Sequence, residues 1–150
     1  MLSQVQKYNV VVERDGPNKA VATARGHRLV LNAQKGAGDV GFNAAETLMA
    51  ALGACLMTNL NSLAAKMHLA MDDATLQIDA TRLDDPPGIS ELKYILTLVS
   101  DEPEERLKQL HDLCVKWGTV TNTLTNGIRM DGSIRIVRRA KRSSASLVTF

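Results

Sequence analysis

The period of the apolar positions changes along this chain, and each change marks an element. Asn9-Val-Val-Val-Glu-Arg14 reads as a strand, and Asp15-Gly-Pro-Asn18 is a turn by composition. Lys19-Ala-Val-Ala-Thr-Ala-Arg25 returns as its partner strand. Gly26-His27 punctuates before a short third strand, Arg28-Leu-Val-Leu-Asn32. Gly36, Gly38 and Gly41 then predict a mobile loop over residues 33–41. From Asn43 to about Met67 the pattern is helical. Asn43 can cap the helix, and Glu46, three residues on, completes a capping-box-like start. Leu48, Met49, Leu52, Cys55, Leu56, Leu60, Leu63 and Met67 cover nearly the whole circumference. A helix apolar on all sides belongs at the centre of a protein.

Beyond it, residues 74–83 alternate apolar and polar as a half-buried strand does, and Asp84-Asp-Pro-Pro-Gly88 makes a turn. Leu92, Tyr94, Leu96 and Leu98 alternate on the returning strand. Pro103, Glu104 and Glu105 open a second helix, with Pro suited to its first turn and carboxylates to its dipole. Leu107, Leu110, Leu113 and Cys114 form its apolar stripe. Thr121 to Asn126 add a further turn ended by Gly127, and Ile128 to Val137 supply a last strand. The expected order is β-β-β-α-β-β-α-β, an α+β domain over residues 1–137 with a polar tail over 138–150. One small sheet cannot cover a wholly apolar central helix, so an intertwined homodimer is expected.

Composition narrows the function classes. At 150 residues, 45% hydrophobic and 23% charged, the chain suits one globular domain. Aromatic residues are only 3% of the chain, which leaves little for stacking on single-stranded nucleic acid. A net charge of +2 and the short basic run Arg138-Arg-Ala-Lys-Arg142 argue for a solvated tail rather than a nucleic-acid surface. Thr58, Asn59, Asn61, Ser62 and Lys66 interrupt the longest apolar stretch, which argues against a membrane span. No secretory signal is visible, so a cytoplasmic location is expected. Two cysteines far apart in sequence and three scattered histidines (His27, His68, His111) give no metal spacing, and no cofactor is implied.

The chemistry centres on Cys55, mid-helix in an apolar stretch. A free Cys in such a setting is either an inert core filler or a nucleophile kept from water. The residues around it bear on the choice. Gly41-Phe-Asn-Ala-Ala-Glu-Thr-Leu-Met-Ala-Ala-Leu-Gly-Ala-Cys55 resembles the signature helix of the OsmC/Ohr family, the osmotically inducible and organic hydroperoxide resistance proteins. There the pattern is roughly Pro-x-Glu-Leu-Leu-Leu-Ala-Ala-Leu-Gly-Ala-Cys; Ala44 stands where the family usually has Pro. The resemblance spans about Val10 to Val137 and includes the element order.

The resemblance implies a thiol peroxidase. Cys55 corresponds to the nucleophile whose thiolate attacks the peroxide oxygen and becomes a sulfenic acid. A second Cys then forms a disulfide with it, which a small thiol or dithiol reductant opens. Glu46 matches the family's Glu, which orients an Arg that stabilises the thiolate. A mid-helix Cys gains little from the helix dipole and burial disfavours its thiolate, so a cation is required for reactivity. Arg25 is the favoured choice, with Arg14, Lys19 and Arg28 as alternatives; each also has a plain reading as a solvated strand residue.

On an unbroken helix Glu46 and Cys55 lie roughly 13.5 Å apart along the axis and about 180° around it. Either the helix breaks between them or Glu46 serves the Cys55 of a partner subunit. Glu46 reads equally as a carboxylate satisfying the helix start. The departure from the family lies downstream. Its second-cysteine pattern is close to Cys-Pro-Val-Ser-x-Thr-Leu, and this chain has Gly118-Thr-Val-Thr-Asn-Thr-Leu124. Cys114, one turn before Gly118, is displaced by about 6 Å and can resolve Cys55 only if the Cα atoms come within roughly 7 Å; otherwise it is core. Two functions follow. One is a hydroperoxide reductase centred on Cys55. The alternative is a non-catalytic dimer binding a small hydrophobic ligand in an apolar cavity lined by Met49, Leu52, Leu56 and Trp117.

Overall fold

The computed structural model describes residues 4–36, 38–128, 130–137 and 145–149. β1 (Val11–Arg14), β2 (Lys19–Ala24) and β3 (His27–Asn32) form an antiparallel meander. Ala24 pairs with His27, so Arg25 and Gly26 are the two turn residues, both at positive φ (51° and 83°). That backbone matches the right-handed twist of the strands it joins. Glycine takes it freely and arginine does not.

α1 (Ala44–Lys66) begins where the sequence predicts it. The Glu46 N–H donates to Asn43 Oδ1 at 2.8 Å and the Asn43 N–H donates to Glu46 Oε1 at 3.0 Å. The two groups thus satisfy each other as a capping box. α1 runs unbroken for 23 residues. Leu52, Leu56, Leu60 and Ala64, one turn apart, are its buried stripe. Its opposite side, with Ala51, Ala54 and Thr58, is exposed within the chain. α1 is long and apolar enough to cross a membrane by length and composition, yet its buried stripe is the middle of the protein core.

β4 (Asp73–Asp84) and β5 (Pro87–Val99) pair antiparallel as a long hairpin. Leu76 and Ile78 of β4, and Leu92, Tyr94 and Leu98 of β5, pack against the core cluster to which the α1 stripe belongs. α2 (Glu104–Lys116) closes the core from the other side with Leu110 and Cys114, 0% and 1% exposed. Pro103 stands at its N-cap, just before the first turn. Gly118 separates α2 from α3 (Thr119–Asn126), which is a helix of its own rather than a single added turn. Gly127, at φ 76°, ends α3 as expected.

β6 (Ser133–Val137) pairs antiparallel with β7 (Ala145–Thr149). β7 is an element the sequence reading lacks, since it ends the last strand at Val137. The basic run 138–142 lies outside the described residues. The remaining elements follow the predicted order, and the fold is α+β with α1 at its centre. None of the core cluster comes from β1–β3. That sheet keeps Val11, Val12, Leu29 and Val30 exposed within the chain.

Candidate active site

Cys55 lies at the middle of α1, half-buried, one turn from Leu52 and beside Leu56 of the core stripe. Cys114 faces the same core from α2 and is fully buried. The packing of the two helices here has a specific polar anchor. The last carbonyls of a helix have no partner within it, and Asn59 Nδ2 donates to the Cys114 carbonyl at 3.1 Å. Asn59 is one turn beyond Cys55 on α1, so this bond seats the end of α2 against the Cys55 region. Both thiols are free. Burial pushes the Cys114 thiol up from its ordinary range, and the nearby Cys55 adds to that shift through its charge.

The other predicted site residues are placed elsewhere in the chain. Because α1 does not break, Glu46 and Cys55 of one chain stay apart, and the Glu46 carboxylate is engaged in the cap. Arg25 sits exposed at the tip of the β2–β3 hairpin. Lys19 Nζ is 2.8 Å from Asp15 Oδ2, and Arg28 lies within the field of the same carboxylate. Arg14 borders a small cleft with Glu13, Asp15 and Arg28. β1–β3, which carry or border all four cations, stand outside the cluster that holds Cys114.

Gly118, at the family's second-cysteine position, is buried and tightly surrounded. A Cβ built there would lie 2.6 Å from Thr121 Oγ1, 3.1 Å from Thr121 Cβ and 3.2 Å from the Cys114 carbonyl oxygen. The Thr121 hydroxyl oxygen is buried without a hydrogen-bond partner among the described residues. Thr121 therefore fills the space a side chain at 118 would enter.

The sequence reading did not single out the contact between Tyr94 and His111, and it expected an apolar cavity with a different lining. The Tyr94 hydroxyl meets His111 Nε2 at 2.7 Å, joining β5 to α2. An apolar cavity of about 560 Å³ lies between α1, β5 and α3, with Leu48, Leu52, Leu92, Tyr94, Thr121 and Leu124 on its walls. Of the four residues expected to line a ligand cavity, only Leu52 does so. Leu56 is core, Met49 is half-buried away from the cavity, and Trp117 is 64% exposed beneath the Lys116 ammonium. Leu56 is lost to the cavity because its place on the stripe, one turn past Leu52, turns it into the helix packing. Among the described residues no group of three or more His, Cys, Asp or Glu is placed to hold a metal ion.

A helix carrying a central thiol, packed on a long hairpin and a second thiol-bearing helix, defines a class of small α+β thiol proteins. The family profile described as OsmC-like protein matches residues 36–132, and the chain belongs to that family. A hydroperoxide reductase of Mycoplasma genitalium is 25% identical over 138 residues, spanning 88% of this chain and 98% of that protein. Among solved structures, the OsmC-like protein from Mycoplasma pneumoniae superposes with a TM-score of 0.76 at 20% identity, over 83% of this chain and 91% of that one. The organic hydroperoxide resistance protein OhrB of Bacillus subtilis gives 0.57 at 18% identity, over 81% and 92%. At these identities the solved structures establish the shared fold.

Proposed function

We propose that the chain reduces organic hydroperoxides with Cys55 as the nucleophile and Cys114 as the resolving thiol. The carrying observation is the seating of the Cys114 end of α2 against the Cys55 turn of α1 by Asn59. The Cys55 thiolate attacks the peroxide, releases the alcohol and becomes a sulfenic acid. Cys114 then displaces its hydroxyl as water to form a disulfide, and an external thiol or dithiol restores both. The M. genitalium relative named hydroperoxide reductase and the hydroperoxide resistance proteins among the structural neighbours support a peroxide-related role.

The working unit in this reading is a homodimer. The exposed half of α1 and the apolar residues of β1–β3 require cover, and one continuous helix keeps Glu46 from its own Cys55. A second chain would supply Glu46 and a cation to each Cys55. Arg25 is our choice of cation, because Lys19 is already held by Asp15. Exposure of the reduced protein to cumene hydroperoxide, followed by thiol counting and mass, tests the chemistry. A Cys55–Cys114 disulfide is expected in the wild type and absent in Cys55→Ser. A Cys55 that stays reduced at millimolar peroxide overturns the proposal.

A second reading rests on the apolar cavity beside α1 and on Gly118: a non-catalytic dimer that holds a small hydrophobic ligand. It predicts ligand-dependent stabilisation with no change in either thiol on peroxide treatment.

A further inference from the structure

Little in its own sequence holds α3 together. Thr-Val-Thr-Asn-Thr-Leu-Thr-Asn has four Thr and two Asn among its 8 residues, and both types rank low as helix formers. The Thr123 and Thr125 hydroxyls donate back to the Thr119 and Thr121 carbonyls one turn earlier, a bond that weakens a helix slightly. Gly118, the N-cap, offers the first turn no side-chain acceptor, and no residue of α3 is buried. A short helix without a cap, strong propensity or a buried face is marginal.

Its attachment to α2 is equally light. The N–H groups of Trp117 and Gly118 donate to the Leu113 and Val115 carbonyls, and Asn59 of α1 takes the Cys114 carbonyl. Of these last four carbonyls of α2, only that of Lys116 is served from α3, by Asn122 Nδ2 at 3.2 Å. The end of α2 therefore keeps most of its partners whether or not α3 is in place. In its observed position α3 also holds the Thr121 hydroxyl buried with no partner among the described residues. Water would satisfy that group once α3 moved away. Gly118 and Gly127 stand at the two ends of the helix, where the backbone can pivot.

α3 is one wall of the apolar cavity. Thr121 and Leu124 border it together with Leu48 and Leu52 of α1 and Leu92 and Tyr94 of β5. Leu124 stays 38% exposed there, so an occupant of the cavity would supply apolar contact that α3 lacks. Among the described residues, Glu91 is the one charged group on the walls. A carboxylate in such a setting disfavours anions and leaves a neutral apolar molecule as the guest that fits.

We propose that α3 is a hinged lid on this cavity, and that a neutral apolar guest holds it shut. The lid rests on the ligand-cavity reading and is independent of the chemistry of either thiol. A guest that touches Leu124 only in the closed form shifts α3 toward closure by that difference in affinity.

Hydrogen exchange followed by mass spectrometry on the full chain tests the lid, with residues 119–126 compared against α1 and α2. N-phenyl-1-naphthylamine serves as the neutral apolar probe, and its fluorescence reports binding. Asn122→Asp keeps the size of the side chain and removes the donor to Lys116. Leu48→Asp puts a second carboxylate on the cavity wall at a position already 38% exposed, so the chain should fold and lose the probe. In the free protein α3 should exchange about tenfold or more faster than α1 and α2. Asn122→Asp should speed it by about two- to tenfold, the effect of one hydrogen bond. The probe at about ten times its Kd should slow α3 about tenfold and leave α1 and α2 unchanged. Exchange of α3 at the rate of α1 and α2 overturns the lid. Probe binding that leaves α3 exchange unaltered also overturns it, with the cavity still a binding site. A wild type that does not bind the probe, or a Leu48→Asp chain that binds it equally well, overturns the ligand-cavity reading and the lid with it.

Discussion

Gly118 offers the sharpest test of why this chain lacks a thiol at the family's usual place. Its backbone, at φ −81° and ψ 122°, is extended, so any residue can adopt it. On backbone grounds alone, Gly118→Ala should stabilise by about 0.4–1 kcal/mol, because the unfolded chain loses freedom. Packing points the other way. The added Cβ would sit 2.6 Å from Thr121 Oγ1, and rotation of Thr121 leaves its Cβ at 3.1 Å and the Cys114 carbonyl oxygen at 3.2 Å. Overpacking of this kind costs about 1–3 kcal/mol, so the net expectation is destabilisation of about 1–2 kcal/mol. Thr121→Ala removes the closest atom, together with a buried hydroxyl that has no partner among the described residues. The pair should therefore be coupled by about 1 kcal/mol in a double-mutant cycle.

The assay is urea unfolding of the wild type, both single variants and the double variant. Thr121→Ser serves as the control: it keeps the hydroxyl, so Gly118→Ala should remain costly in that background. Additive effects, or a Gly118→Ala protein as stable as the wild type, would refute the packing argument. The functional extension follows directly. Cys114→Ser should abolish the disulfide, and Gly118→Cys should restore one only where Thr121 has been cut back to Ala.

Two further outcomes separate structural from chemical roles. Asn43→Ala should cost about 1 kcal/mol by removing the α1 cap, whereas Glu46→Gln keeps a side-chain acceptor for the Asn43 N–H and should melt close to the wild type. If Glu46 also serves a partner's site, that Gln variant loses peroxide turnover by about tenfold or more, as a charge-assisted bond worth roughly 1.5–3 kcal/mol is lost; unchanged turnover confines Glu46 to the cap. The raised Cys114 thiol gives a pH signature: the folded chain holds this proton to higher pH than the unfolded one. Its stabilising contribution is therefore complete below the unfolded thiol range of about 8.5 and is lost as pH rises through the raised folded value. Tyr94 acts in the same direction at higher pH. Urea midpoints should fall with alkalinity in the wild type and fall less steeply in Cys114→Ala; equal slopes would remove Cys114 as the cause.

What could be read in the sequence, and what could not, divides along local and long-range physics. The start of α1 was legible because a capping box is complete within four residues, Asn43 to Glu46. The β4–β5 hairpin was legible because Ala74 to Ala80 and Leu92 to Leu98 alternate on either side of a Pro-rich break; the register places the turn itself at Asp85-Pro86, with Pro87 and Gly88 already paired in β5. β7 was not, because Ala145-Ser-Leu-Val-Thr149 follows a basic run and acquires its strand only by pairing with β6. The site shows the same division. Cys55 stands out within a local motif, while its surroundings are assembled across the fold. Asn59 reads as a polar interruption in an apolar helix until the unpaired Cys114 carbonyl is set against it. Tyr94 and His111 are an ordinary strand tyrosine and helix histidine until β5 and α2 pack. Glu46 shows where this reasoning leads. The continuity of α1 rules out its contact with Cys55 of the same chain, so any role it has at that thiol belongs to a second copy. The cation question has the same form, because β1–β3 lie outside the core that holds Cys114. Under the proposed function, the nucleophile is read from one helix, and the groups that would activate it come from a second chain.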